Sequence, residues 1–217
     1  MDLKITILYD NTVSKSGLQP DWGFSCLIDW KDKSLILFDT GANGVILLSN
    51  MTALDVDPQS IDSVFISHGH FDHTGGLSSF LNANSKVTVY CPDSFRGVRR
   101  AKKVVHVNNF LELHEQIYST GELNGIEQSL VLETEKGIVF IVGCAHPGME
   151  TIFQSVSRLG SVRAVIGGFH GFRKYDLFRN VDLICPTHCT QNQKEISDFY
   201  SKKTIQGGVG RVIHIPD

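Results

Sequence analysis

Three histidines and an aspartate lie within six residues, directly after a short apolar segment, in the stretch Ser67-His68-Gly69-His70-Phe71-Asp72-His73. Residues 63–66 before it have the composition of a buried strand. Imidazole and carboxylate groups are ligands that zinc, iron and manganese accept. A turn after a strand can direct His68 and His70 at one ion, and Asp72 and His73 at a second. A solvated polar loop poorly explains this spacing, so the sequence predicts a two-metal site.

Short β-branched and aromatic runs alternate with helix-like stretches along the chain, which is typical of α/β layers. The first three strands are expected to pair antiparallel, with a polar turn at Lys31-Asp32-Lys33 between the second and the third. With 217 residues, the chain is expected to form one domain, 1–217. The predicted strands are 5–9, 24–30, 35–38, 63–66, 87–90, 104–107, 129–133, 138–142, 162–166 and 181–185, and the predicted helices are 44–54, 149–159 and 192–200.

Charge and cysteine content narrow the possible partners and the compartment. The net charge of -3 gives no basic field of the kind that attracts nucleic acid. No apolar run approaches the roughly 18 residues of a membrane span, and the first apolar run is too short for a secretory signal. Five scattered cysteines do not form a disulfide framework. We therefore expect a cytoplasmic protein that acts on a small molecule, without a membrane or nucleic-acid partner; its oligomeric state is left open.

Four motifs, in order along the chain, resemble those of the metallo-β-lactamase superfamily. They are Phe38-Asp39-Thr40-Gly41, the stretch from His68 to His73, Gly143-Cys144-Ala145-His146-Pro147-Gly148, and Pro186-Thr187-His188. The resemblance implies an α/β protein of the metallo-β-lactamase fold, a four-layer αββα sandwich of two mixed sheets flanked by helices. It also implies a dinuclear site with two divalent metal ions, for which zinc is expected and manganese or iron stays open.

The same resemblance assigns roles to further residues. His146 is implied as the third histidine of the first ion, and His188 as the last ligand of the second. Many two-metal members carry a bridging aspartate after the strand that here ends in Gly167-Gly168. This chain instead offers His170, which we include as a candidate ligand, and whether it ligates is left open.

Two carboxylates complete the candidate site. Asp72 is the candidate catalytic residue, expected to orient the water that two ions would acidify. Asp39 ends a buried strand, where an unpaired carboxylate would be costly. We expect Asp39 to accept hydrogen bonds from the metal loop and so to orient its ligands. A turn at residues 39–41 with only local hydrogen bonds is the alternative.

A closer resemblance is to the dihydropteridine ribofuranosyl-aminobenzene phosphate synthase-like metal-dependent hydrolases. It is carried by Trp22-Gly23-Phe24-Ser25, by residues 143–148, by Gly167-Gly168-Phe169-His170 and by Pro186-Thr187-His188-Cys189-Thr190. The next residue is Gln191, where this branch often has glycine. The resemblance implies a phosphorylated or pterin-like small-molecule substrate.

The sequence therefore predicts a metal-dependent hydrolase that uses a metal-activated water. Because this chemistry needs no protein nucleophile, Cys144 and Cys189 are not expected to be catalytic. Two alternatives remain open: a di-iron redox or oxygen-handling protein on the same fold, and a non-catalytic binder of a pterin-like ligand with structural metals.

Overall fold

The computed structural model describes residues 2–30 and 34–216. The predicted turn at Lys31-Asp32-Lys33 lies outside these residues. The described strands are β1 (Asp2–Tyr9), β2 (Ser25–Trp30), β3 (Ser34–Phe38), β4 (Ser63–Phe65), β5 (Thr88–Pro92), β6 (Lys103–Val107), β7 (Leu111–His114), β8 (Ile117–Ser119), β9 (Leu130–Thr134), β10 (Gly137–Val142), β11 (Val162–Gly167), β12 (Leu183–Pro186) and β13 (Val212–Pro216). The helices are α1 (Gly44–Ala53), α2 (Phe71–Thr74), α3 (Leu77–Ala83), α4 (Met149–Ser155) and α5 (Gln193–Phe199), with 3₁₀ turns at Pro58–Ser60 and Tyr175–Phe178.

The strands form two mixed sheets. One has the order β13-β1-β2-β3-β4-β5-β6 and the other the order β12-β11-β10-β9-β8-β7. In the first sheet, pairing is antiparallel from β13 to β3 and parallel from β3 to β6. In the second, β10, β11 and β12 are parallel, and the remaining pairs are antiparallel. The antiparallel pairing predicted for the first three strands is confirmed.

Three hydrophobic clusters define the layers. The central cluster joins the facing sides of the two sheets, with Ile28 and Phe38 from one and Ile141 and Ile166 from the other. A second cluster packs the outer face of the first sheet against α1 and α3, and a third packs the outer face of the second sheet against α4 and α5. The order of layers is therefore helix, sheet, sheet, helix, which confirms the predicted αββα sandwich.

Strand β3 shows how the sequence produces two buried faces. Successive side chains of a strand point to opposite sides of its sheet. Ile36 and Phe38 belong to the central cluster, while Leu37 between them packs against the helices. Both faces are apolar, so the strand reads as a continuous hydrophobic run rather than an alternating one.

The main differences between the predicted elements and the structure are one helix end and three strands. The helix predicted over 149–159 ends at Ser155, and residues 156–159 form turns before Gly160. Strands β7, β8 and β13 were not predicted. β7 has four residues, of which Leu111 and Glu112 are exposed, and β8 has only three. Neither segment is long enough to show a clear apolar pattern. Within the described ranges, no helix is long and apolar enough to cross a membrane.

The topology brings the carboxyl ends of several strands to one edge of the sandwich. β1, β3 and β4 run in the same direction, because β1 and β3 are each antiparallel to β2 and β3 is parallel to β4. In the other sheet, β10, β11 and β12 also end together. Every candidate site residue follows one of these six strands, at the edge where α/β sheets hold ligands.

Candidate metal centre

His68, His70 and His146 form a triad that joins the two sheets. The ring centroids are 4.6 Å apart for His68 and His70, 4.8 Å for His68 and His146, and 4.7 Å for His70 and His146. One nitrogen from each ring lies within 4.8 Å of the others. Three imidazole nitrogens at this spacing can surround a single cation.

Asp72, His73 and His188 form a second group beside the triad. His188 Nε2 lies 3.1 Å from Asp72 Oδ2, and His73 Nε2 lies 4.0 Å from the same oxygen. Two nitrogen or oxygen ligands of one tetrahedral zinc ion are about 3.3 Å apart, given metal–ligand bonds of about 2.05 Å. The rings of His68 and His73 are 4.2 Å apart, so the two groups adjoin.

Asp39 connects both groups through hydrogen bonds. Its carboxylate accepts the Ser67 backbone N–H at 2.7 Å, the Ser67 hydroxyl at 2.6 Å, and His73 Nδ1 at 2.7 Å. Ser67 Oγ in turn lies 2.9 Å from His68 Nδ1. We assign the ring protons of His68 and His73 to Nδ1, because the carboxylate accepts and the hydroxyl proton is already donated to it. Each Nε2 then keeps its lone pair for a cation.

His188 is held by two residues that sequence reasoning missed. The Asp10 carboxylate accepts the His188 N–H at 2.9 Å, and the Gly208 N–H at 2.9 Å. Asn11 Oδ1 lies 3.0 Å from His188 Nδ1, and Asn11 Nδ2 donates to the His188 carbonyl at 3.0 Å. Their position in the sequence could have indicated this role, because Asp10 and Asn11 follow a buried strand directly, as Asp39 does.

Glu127 was also missed, and it holds the loop that carries His146. Its carboxylate is fully buried and accepts the backbone N–H groups of Cys144 at 2.9 Å, Ala145 at 3.1 Å and His146 at 2.9 Å. Burial raises the pKa of Glu127 to about 7, and the three N–H donors oppose that rise. No local pattern marks this residue, because its partners lie 17 to 19 positions away.

The site contains several residues with left-handed backbone angles. The φ angles are +51° for Asp39, +58° for Ala145, +48° for His170 and +45° for His188. This conformation is uncommon outside glycine, although Asp and His adopt it more readily than most residues. Such conformations persist where surrounding contacts impose them, and they are frequent at functional sites.

Burial favours the neutral form of three imidazoles of the site. It lowers the pKa of His68, His73 and His146, and the neighbouring imidazoles lower each further. Among the described residues, the buried His68 Nε2 and His146 Nε2 have no hydrogen-bond partner. Leaving a buried polar atom unsatisfied costs about 1–3 kcal/mol. A cation between these nitrogens would satisfy them, so the residues present fit a divalent metal.

Asp72 is the one anionic member of the second group, and Trp22 contacts it. The contact with His188 holds the pKa of the Asp72 carboxyl well below its usual value. Trp22 Nε1 donates a hydrogen bond to Asp72 Oδ2 at 3.0 Å, and its ring lies 5.0 Å from that of His188. The Trp22 side chain is 59% exposed and Phe71 is 72% exposed, so aromatic surface borders this side of the site.

His170 lies at the rim, on the side of the first triad. Its ring is exposed and lies 4.9 Å from that of His146. A cavity of about 340 Å³ next to it is also lined by Phe172, Arg173 and Lys174. Lys174 pairs with Glu150 at 2.6 Å, so this cation is partly neutralised. Of the seven candidate ligands, the structure groups six into two sets of three and places His170 beside them.

Two thiols lie among these ligands. Cys144 Sγ is 3.2 Å from His73 Nε2, and one group of close ligand atoms comprises Cys144, His188 and Cys189. A hydrogen bond with Cys189, together with burial, raises the pKa of the Cys144 thiol. An uncoordinated Cys144 is thus neutral and a poor nucleophile.

Comparison with known proteins supports the same family from both sequence and fold. The family model of the metallo-beta-lactamase superfamily matches residues 23–149. Two relatives come from Methanocaldococcus jannaschii. The uncharacterized protein MJ0448 is 26% identical over 97% of this chain and 100% of its own length. The other, named 7,8-dihydropterin-6-methyl-4-(beta-D-ribofuranosyl)-aminobenzene-5'-phosphate synthase, is 27% identical over 79% of this chain and 82% of its own length.

Solved structures give the same result. The crystal structure of Tm1679, described as a metal-dependent hydrolase of the beta-lactamase superfamily, superposes with a TM-score of 0.78 and 25% identity. The superposition covers 99% of this chain and 100% of that one. The superfamily expected from the four motifs is confirmed, and so is the similarity to the pterin-related synthase. This chain belongs to the metallo-beta-lactamase superfamily.

Proposed function

We propose that the protein is a metal-dependent hydrolase that uses a water activated at a dinuclear centre on a phosphorylated or pterin-like small molecule. The proposal treats residues 1–217 as one metallo-β-lactamase-like domain. The observation that carries it is the adjacency of two three-ligand groups, with the rings of His68 and His73 only 4.2 Å apart. Two cations at that spacing can act on one substrate.

In this proposal, each ion has its own set of protein ligands. His68, His70 and His146 hold the first ion, and Asp72, His73 and His188 hold the second. His170 is a further candidate ligand near His146. Imidazole and carboxylate donors suit zinc, which we propose as the metal, and they also accept manganese and iron.

The bound ions would supply an acidified water and polarise a phosphoryl or carbonyl oxygen. Because the pKa of the Asp72 carboxyl is held low, this carboxylate is a weak base, and it would orient a water molecule rather than remove its proton. Asp39 keeps the Nε2 lone pairs of His68 and His73 directed into the site. No protein nucleophile is used.

The substrate class rests on the relatives and on the rim of the site. One relative is named for a dihydropterin and a phosphate group. The exposed Trp22 ring offers a face on which a flat heterocycle can stack. The cavity beside His170 carries Arg173 and Lys174, whose side chains suit a phosphate once it displaces their carboxylate partners Glu195 and Glu150.

Metal stoichiometry tests this proposal first. Elemental mass spectrometry on purified protein should give about two zinc, manganese or iron ions per chain. Asp72→Ala and His146→Ala should each lower that number, whereas His106→Ala, an exposed histidine of β6, should not. Absence of metal after reconstitution at neutral pH would refute the mechanism. Iron together with redox activity would favour the di-iron alternative.

Hydrolysis assays separate an enzyme from a binder. Metal-loaded protein should hydrolyse simple phosphodiester or lactone substrates, and His68→Ala should abolish the reaction. Binding of a pterin-like compound by metal-loaded protein that hydrolyses none of these substrates would favour a binding role instead. Conversion of a pterin and a ribosylated aminobenzene phosphate into a joined product would place this chain with the activity for which its relative is named.

A further inference from the structure

Anionic ligands are scarce in the site as proposed so far. The two groups contain five histidines and one carboxylate, Asp72. Two divalent ions carry four positive charges, and neutral imidazoles offset none of them. We propose that Cys144 supplies a thiolate ligand to the second ion, on the side that faces the first. This inference rests on the dinuclear site of the proposed function.

The position of the sulfur carries the inference. Cys144 Sγ lies 3.2 Å from His73 Nε2. Nitrogen and sulfur ligands of one tetrahedral zinc ion are about 3.6 Å apart, given bonds of about 2.05 and 2.3 Å. His73 Nδ1 is committed to Asp39 at 2.7 Å, so Nε2, the ring nitrogen next to the sulfur, keeps its lone pair for a cation. The nitrogen and the sulfur are therefore close enough to contact one ion.

The sulfur also lies between the two groups. Cys144 forms close sets of ligand atoms with His68 and His73, with His188 and Cys189, and with His146 and His170. In each set, all the atoms lie within 4.8 Å of one another. Cys144 thus reaches ligands of both proposed ions, and its side chain is only 3% exposed.

The backbone fixes Cys144 in this place from two directions. The Glu127 carboxylate accepts the N–H of Cys144 and of the next two residues. A Cβ atom at Gly143 would lie 2.3 Å from Ser67 Oγ, so only glycine lets this loop approach the loop of His68 so closely. Ser67 itself is bound to Asp39, which makes the loop position part of the same network.

No side chain can enter from the end of β11 to take the role of Cys144. A Cβ atom at Gly168 would lie 2.6 Å from Cys189 Sγ and 2.5 Å from the Gly143 carbonyl oxygen. The Cys189 side chain and the Gly143 backbone therefore fill the space at that strand end. The next ligand-type residue along the chain, His170, is exposed at the rim.

The alternative is that Cys144 stays protonated and only donates its S–H to His73 Nε2. Binding of Co²⁺ distinguishes this thiol from a metal-bound thiolate. On coordination the thiol loses its proton to solvent and becomes a thiolate. Thiolate ligation of Co²⁺ produces intense sulfur-to-cobalt charge-transfer absorption in the near ultraviolet, whereas imidazole and carboxylate ligation does not. The experiment loads metal-free full-length protein with Co²⁺ and records both this absorption and the cobalt content.

Cys189→Ser is the matched control, because Cys189 is the neighbouring thiol and lies 4.0 Å from the Cys144 carbonyl. Wild type and Cys189→Ser should bind two cobalt ions and show the charge-transfer band. Cys144→Ser should lose the band and bind the second ion at least about tenfold more weakly. Cys144→Asp, which restores an anionic ligand, should recover the second ion without the band.

Each outcome decides a specific point. Two bound cobalt ions without the band in wild-type protein would overturn the thiolate and leave the dinuclear site intact. A band that persists in Cys144→Ser and disappears in Cys189→Ser would show that Cys189 is the thiolate ligand, which would overturn the proposal for Cys144. Failure of wild-type protein to bind cobalt or zinc at all would refute the proposed function together with this inference. The wild-type spectrum alone tests whether a thiolate is bound, and either cysteine variant identifies which thiol it is, so poor folding of one variant does not remove the test.

Discussion

His73 and Asp39 are joined by a 2.7 Å hydrogen bond between Nδ1 and a carboxylate oxygen, and neither side chain is exposed to solvent. The bond connects the residue after β3 to the helix that follows β4. It fixes the ring orientation and proton position of His73, and through Ser67 the same carboxylate controls His68.

Asp39→Asn should weaken metal binding by about 10- to 100-fold. The Asp39 carboxylate now accepts three hydrogen bonds. The amide nitrogen of Asn would face one of these donors, so His73 or Ser67 would lose its acceptor. Competition with a chelator of known affinity measures the change. Asp29→Asn is the control, because Asp29 pairs with Lys4 at the surface, 2.8 Å away. Equal affinity in both variants would contradict a positioning role for Asp39.

Glu127→Gln should destabilise the folded protein by about 1–3 kcal/mol, because an amide N–H would then oppose a buried backbone N–H. It should also reduce metal content, since the loop of His146 and Cys144 loses one of its contacts. Urea unfolding and elemental analysis measure the two effects. Glu133→Gln alters a carboxylate that accepts from the Tyr118 hydroxyl outside the site, and it should leave metal content unchanged. Full metal content in Glu127→Gln would show that the loop does not depend on this carboxylate.

Trp22→Phe should weaken binding of one of the two ions by about tenfold. The substitution removes the indole N–H that Asp72 Oδ2 accepts while it keeps an aromatic ring in place. Phe71→Leu, at an exposed aromatic residue next to Asp72, should have no such effect, because the Phe71 side chain has no polar atom. Stepwise titration with metal resolves the two ions. Unchanged affinity in both binding steps of Trp22→Phe would exclude this contribution.

Lowering the pH should destabilise the metal-free protein. Burial lowers the pKa of His68 and His73 below the ordinary value of 6.5, so the unfolded chain binds protons near pH 6.5 that the folded chain does not. The stability that these groups contribute is complete above pH 6.5 and is lost as the pH falls toward their folded pKa. Each contributes a slope of about 1.4 kcal/mol per pH unit.

Urea unfolding of chelator-treated protein between pH 5.5 and 7 tests this slope. His68→Gln removes one of the two groups, so its stability should fall less steeply with decreasing pH than that of the wild type. Identical slopes would mean that His68 binds a proton in the folded state as readily as in the unfolded one.

Much of the site was accessible from sequence because its residues follow strands directly. Asp39, His68 and His188 each come within three residues of a strand end, and strands that run in one direction bring their ends together. The ligand-type residues also stand in compact motifs. These motifs carried the family resemblance that implied the layers of the fold, and they contain the six side chains that the structure groups together.

The residues that were not predicted owe their roles to long-range contacts, which leave no local pattern in the sequence. Glu127 reaches a loop 17 to 19 residues away, and Asp10 binds His188 across 178 positions. The place of Cys144 beside His73 depends on the packing of Gly143 against Ser67, which requires both sheets. Short strands such as β8 gain their structure from their neighbours, so their own composition does not predict them.

The two sheets contribute different ligands to each proposed ion. His68, His70, Asp72 and His73 follow a strand of the first sheet, whereas His146 and His188 follow strands of the second. Metal binding would therefore be linked to global unfolding, because separating the sheets would destroy both sites at once. Above the dissociation constant, each tenfold increase in free metal would add about 1.4 kcal/mol per ion to the free energy of unfolding. The melting temperature of this protein would then serve as a measure of free metal concentration.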